Sequence, residues 1–240
     1  MNRVLGAARL HLVHPLITFG VPWLVVGISF SINWLIWKFA DLQHQADDGG
    51  FTGGVLSLYI TVAIVFVQAV TQMLPFAMGL SVSRRSFYLG TALIGIAQAV
   101  GYGVALAVLT SIEGASDGWG VGLHFWAPGG LDVDNFALQV LVSGAPMLAF
   151  IACGAGIGVV QKRWGPAGTW GLIIGSLVVF GGLAVLVTGL GAWAQVGQWF
   201  ADRSVQTLTI GLPVALAAVL AGLAERSATA REALGGLLGT

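Results

Sequence analysis

Residues 55–112 read VLSLYITVAIVFVQAVTQMLPFAMGLSVSRRSFYLGTALIGIAQAVGYGVALAVLTSI, two long runs without a charge on either side of Arg84 and Arg85. Each run exceeds the ~20 residues that an α-helix rising ~1.5 Å per residue needs to cross ~30 Å of hydrocarbon. One Arg at the centre of a spanning helix costs about 2.5–3.5 kcal/mol on insertion scales, so a pair there would cost about 5–7 kcal/mol. The pair therefore belongs in a turn at the membrane surface, and the stretch is a helical hairpin.

The rest of the chain has the same character. Its 240 residues are 57% hydrophobic and 8% charged, far below the ~25% charge of a soluble domain. Mean hydropathy is +0.89. Cutting at charges and turn residues predicts an all-α, polytopic membrane protein, a single transmembrane domain over 1–240. Its six spans run approximately 16–37, 55–79, 87–112, 136–160, 169–193 and 207–224. Residues 1–14 form an interfacial helix ahead of them and 225–240 a cytoplasmic tail. The apolar run from Leu16 to Trp37 is longer than a secretory signal core of about 7–15 residues and is read as a retained first span. Pro22, Pro75, Pro146 and Pro213 inside the runs are tolerated in membrane helices, whose neighbours satisfy the freed backbone groups.

Charge sorts by side. Arg3, Arg9, Arg84, Arg85, Lys162, Arg163, Arg226 and Arg231 share the side of the N-terminus, whereas Lys38 and Arg203 fall on the other. The positive-inside rule then makes both termini cytoplasmic. Eight acids, from Asp41 to Asp202, fall outside, with only Glu225 and Glu232 inside. Tryptophans 34, 37, 119, 126, 164, 170, 193 and 199 cluster at or beyond the span ends, where amphipathic rings sit at headgroup level; Trp23 is inside a span.

Several functions find no residues. A net charge of zero points to neither nucleic acid nor an acidic substrate. Cys153 is the single cysteine, so no internal disulfide or cysteine-paired zinc site can form. No ionisable residue lies mid-span, which argues against an ion-coupled carrier. Metal clusters, carboxylate pairs and nucleophile–base pairs are missing from the spans, and no enzyme activity is expected. His11, His44 and His124 read as interfacial or solvated, and His14 as a cap on the first span. There is no GxxxxGK[ST], and CGAGIG at 153–158 does not keep the register of a dinucleotide loop.

Uncharged polar residues remain. Gln68, Thr71 and Gln72 fall at i, i+3 and i+4 and are expected to turn away from lipid. With them, Asn33, Gln98, Gln139 and Ser143 act as interhelical hydrogen-bond glue, the favoured reading, or line a translocation path. The GxxxG pairs Gly154/Gly158 and Gly171/Gly175 permit close helix approach. Outside, 113–135 is rich in Gly and aromatics and is expected against the membrane surface, and 192–204 suits a short interfacial or re-entrant helix.

Six spans, a basic lead-in and MGLSVSRRSFYLG in the first cytoplasmic turn together resemble the membrane subunit of ATP-binding-cassette (ABC) exporters of the six-span, type-2 class. The match in topology covers the chain; at residue level it covers about ten positions, Gly79, Ser83, Arg84, Arg85 and Phe87 among them. The resemblance implies that Ser83, Arg84, Arg85 and Phe87 dock on a separate ATPase subunit, which would hold the ATP, while this chain carries no cofactor. It further implies a second copy or a related permease, since six helices supply half of that family's path, and residues 2–14 would be its connecting helix. QKRWGPAG at 161–168 is a second docking candidate, better read as an interface anchor. Competing readings are a stand-alone carrier or channel and a non-transport scaffold or sensor. Apolar spans with sparse amides suit an amphipathic or lipophilic substrate.

Overall fold

The computed structural model describes residues 3–13, 15–40 and 50–222. The acidic segment 41–49, His14, His44 and the tail 225–240 lie outside them. Among the described residues the chain is almost wholly helical: α1 (Arg3–Leu10), α2 (Leu16–Phe39), α3 (Leu56–Gly79), α4 (Arg84–Ala115), α5 (Phe136–Gly189), α6 (Trp193–Ala201) and α7 (Thr207–Gly222). Helices α2, α3, α4 and α5 are each long and apolar enough to cross a membrane. This is a multi-pass membrane protein.

Local chemistry sets the ends. Ser83 and Asn135 cap α4 and α5, their side chains accepting from the amides of Ser86 and Leu138. Helix α5 is not one rod: Gly165 (φ 64°, ψ −156°) interrupts it just before Pro166, giving a limb over 136–164 and another over 166–189. The hairpin expected around 161–168 is thus a sharp bend without a loop. Two π turns, Leu16–Gly20 opening α2 and Ala69–Met73 within α3, shift the register of both helices. Helix α6 stands where the short outer helix was expected.

The core is a bundle of α2, α3, α4 and the first limb of α5, centred on Val26, Leu58, Val62, Phe66, Leu106 and Met147. Small residues let the backbones meet. A Cβ on Gly103 would stand 2.6 Å from the Val140 carbonyl oxygen, one on Gly158 would stand 2.7 Å from Val70 Cβ, and one on Gly154 would strike the Ala63 carbonyl. By contrast, a Cβ on Gly171 or Gly175 meets nothing within 4 Å, so this second GxxxG is not a seam within the chain. The second limb of α5 is bare, with Leu177, Phe180 and Val185 each 68% or more exposed. Such a surface belongs against lipid or another apolar chain.

One end of the bundle carries Arg84, Arg85, Lys162 and Arg163 and is called the basic end; the opposite, loop end is closed by residues 116–135. Here Gly50–Phe51 pairs in parallel with Leu123–His124, a pairing the periodicity did not announce. Leu123 and Phe125 are fully buried, so the loop is a lid inserted into the bundle, where the sequence predicted a segment lying on the membrane.

Candidate functional site

The basic turn is built stiffly. Helix α3 ends in a Schellman-type stop: Ser81 takes a left-handed φ of 61°, and Val82 N donates back to Ala77 O at 3.0 Å. Ser83 follows in extended backbone, its Oγ accepting from Ser86 N at 3.2 Å and donating to Ser86 Oγ at 2.9 Å. With its hydroxyl spent on the cap, Ser83 offers a partner its shape and not a free donor. Arg84 and Arg85 are the first two residues of α4, half-buried and exposed respectively. No acid among the described residues lies at this end to neutralise them.

Phe87 is placed differently from Ser83, Arg84 and Arg85. It is fully buried, packed with Val70, Leu74 and Ala77 and with its ring centroid 5.8 Å from that of His11. Its position one turn inside α4 puts it in the wedge between α1 and α3, so as placed here its ring is out of a partner's reach. It anchors the turn instead.

Behind that anchor runs a polar ladder linking α1 and the head of α2 to α4. Gly90 lets α1 lie against α4, since a Cβ there would meet Ala8 N at 2.8 Å and Ala7 Cβ at 2.9 Å. Thr91 Oγ1 donates to Phe87 O at 3.0 Å, which leaves it to accept from His11 Nε2 at 3.0 Å. His11 is thus buried, only 2% exposed, and not interfacial as its sequence context predicted. Burial lowers its pKa to about 4, keeping the imidazole neutral. The π turn of α2 then presents two carbonyls: Thr18 O accepts from Gln98 Nε2 at 3.3 Å and Phe19 O from Tyr102 Oη at 2.9 Å. Thr18 Oγ1 closes the ladder on His11 O at 3.2 Å.

The other polar residues divide. Gln139 takes the amide of Val133 on its Oε1 and donates to Ser143 Oγ at 3.1 Å, and Tyr59 Oη donates to Ser143 O at 2.9 Å. Asn33 bonds Ser29 O in its own helix. The Asn33 and Gln139–Ser143 bonds stay within one helix, whereas the Tyr59 and Val133 bonds tie α3 and the loop to α5. Gln98 ties α4 to α2, while its Oε1 is buried without a partner beside a groove of about 420 Å³ walled by Phe19, Trp23 and Tyr102. Gln68 and Gln72, expected to face the interior, instead stand exposed on the outside of α3, with Thr71 half-buried between them and bonded to Val67 O. The wide turn at Ala69–Met73 changes the angular spacing on which the i, i+3, i+4 expectation rested.

At the loop end, Glu113 is a residue that sequence reasoning placed among the outer acids. It sits in the last turn of α4, 2% exposed, and accepts from Phe125 N at 2.8 Å, Trp126 N at 3.3 Å and Trp119 Nε1 at 3.2 Å. A carboxylate one helical turn short of a loop dense in Gly and Trp, whose amides need acceptors, was the available signal. His124 is exposed, as a solvated histidine should be. No group of His, Cys, Asp and Glu suited to a metal occurs among the described residues. Compared with known protein families, with curated proteins and with solved structures, the chain matches none of them.

Proposed function

We propose that this chain is the permease subunit of a type-2 ABC exporter in the cytoplasmic membrane, moving an amphipathic or lipophilic substrate with energy from a separate ATPase. The observation that supports it most is the construction of the basic turn. Two guanidiniums with no acid beside them among the described residues stand at the tip of a 32-residue helix, while Phe87 and the His11–Thr91 bond fasten that tip to α1 and α3. A displacement applied to Arg84 and Arg85 is therefore passed to three elements together. Arg presents a planar fork of donors to a partner's carboxylates and carbonyls. In this proposal Ser83 shapes the turn, Arg84 and Arg85 make the contact, and Phe87 transmits it.

Six crossings complete the proposed topology. At ~1.5 Å per residue, the 54 residues of α5 would reach ~80 Å, so its limbs on either side of Gly165 make two crossings. Helix α7 supplies the sixth, and the basic end faces the cytoplasm. A second copy, or a related permease, is supported by Gln68 and Gln72, whose amides are poor neighbours for lipid and good ones for a shared path.

The test is a gentle-detergent pull-down of the full chain from native membranes. A P-loop ATPase in near-equal amount is expected, and Arg84→Glu with Arg85→Glu is expected to release it while the chain stays inserted. Reproducible absence of an ATPase from wild-type preparations, or normal transport by the double variant, would overturn the assignment.

A further inference from the structure

Between α4, the first limb of α5 and α7 lies an apolar cleft of about 320 Å³, at the lower end of the ~300–1,000 Å³ typical of ligand sites. It occupies the half of the bundle nearer the basic end, and Tyr88, Gly95, Ile151, Ala155, Val159 and Ala218 are among its walls. Small side chains on all three helices hold it open. Thr91 is on the wall, but its hydroxyl is already committed to Phe87 O and His11. An occupant of the cleft itself is therefore a hydrocarbon chain.

The mouth has the opposite character. Arg84 and Arg85 precede Tyr88 by four and three residues, and Lys162 and Arg163 follow Val159 by three and four. These are the spacings at which residues share a helix face, so four cations stand one turn beyond the cleft, on the faces that line it. Arg163 also covers the Trp164 ring at 4.6 Å, a headgroup-level arrangement. Every acid among the described residues is at the other end of the molecule.

From this juxtaposition we propose that the cleft is a binding site for a phospholipid with an anionic headgroup, one acyl chain lying between α4, α5 and α7 and its phosphate held by Arg84, Arg85, Lys162 and Arg163. Bilayer tails are as apolar as the cleft, so chain burial alone confers no preference. Selectivity comes from the headgroup, as in other basic pockets between membrane helices. The site shares Arg84 and Arg85 with the proposed ATPase contact, so it is tested on the purified chain with no partner present, where its outcome does not depend on whether an ATPase exists.

The experiment is native mass spectrometry of the purified full-length chain, titrated with phosphatidylglycerol or phosphatidylcholine of the same tails. At roughly a factor of five per cation near the surface, two engaged cations give the anionic lipid a preference of roughly thirty-fold. Replacing Arg84, Arg85, Lys162 and Arg163 together by Gln, which leaves a polar side chain at the half-buried Arg84 and at the three exposed positions, is expected to abolish the preference while leaving phosphatidylcholine binding and helix content unchanged. Ala218→Phe, on the exposed side of α7, fills the cleft and is expected to lower occupancy by both lipids with helix content unchanged by circular dichroism. Equal binding of the two lipids by the wild-type chain overturns the proposal, as does a preference that survives the four Gln substitutions. Undiminished occupancy in a folded Ala218→Phe chain overturns the placement in the cleft.

Discussion

At the scale of single residues, the arginine pair and the histidine behind it show how differently charge and burial are read. A guanidinium cannot be hidden in hydrocarbon cheaply, so Arg84 and Arg85 had to mark a turn, and they do. Nothing comparable constrains a histidine, which is stable in a core once neutral and bonded; His11 gave no sign in sequence that Thr91, 80 positions away, would accept a hydrogen bond from its Nε2. With its folded pKa lowered to about 4 from 6.5, His11 does not change stability above pH 6.5. Below it the unfolded chain takes up a proton that the folded chain refuses, so stability falls as pH drops from 6.5 towards 4, by at most about 3 kcal/mol. Thermal unfolding in detergent is expected to show that loss in the wild type and a shallower one in His11→Phe; identical pH profiles would refute it. Ser83→Ala, which removes the α4 cap, is expected to cost about 1 kcal/mol in the same assay.

Among elements, the long apolar helices were legible because crossing hydrocarbon demands a minimum apolar length, whereas their contacts were not. Gly154 and Gly171 each open a GxxxG, yet one is pressed on the Ala63 carbonyl and the other touches nothing. Gly154→Leu is accordingly expected to force α3 and α5 apart and to lower the unfolding temperature in detergent by several degrees, while Gly171→Leu leaves it unmoved. The loop-end lid obeys a different logic. Its amides at Phe125 and Trp126 bond the Glu113 carboxylate, and without that acceptor they are buried unpaired. Glu113→Ala should therefore speed amide hydrogen exchange at Phe125 and Trp126 selectively; exchange unchanged from wild type would mean that packing of Leu123 and Phe125 holds the lid by itself.

For the whole molecule, the asymmetry between a packed bundle and an exposed second limb of α5 bears on assembly. If Gln68 and Gln72 face a second copy, a chain carrying Gln72→Cys and Cys153→Ala is expected to form a disulfide-linked dimer when its membranes are oxidised, and monomer throughout would remove α3 from the contact. The sequence by itself determined that this protein is helical and built for a membrane, and that the arginine pair marks a turn between two apolar helices. Those properties follow from transfer energies summed along the chain, which do not depend on what a helix touches. Only the tertiary structure decided that Phe87 is an anchor, that His11 and Glu113 are buried, and that Gln68 and Gln72 turn outward. Each depends on which faces meet, and two π turns and one glycine bend rotate those faces by amounts no regular periodicity records.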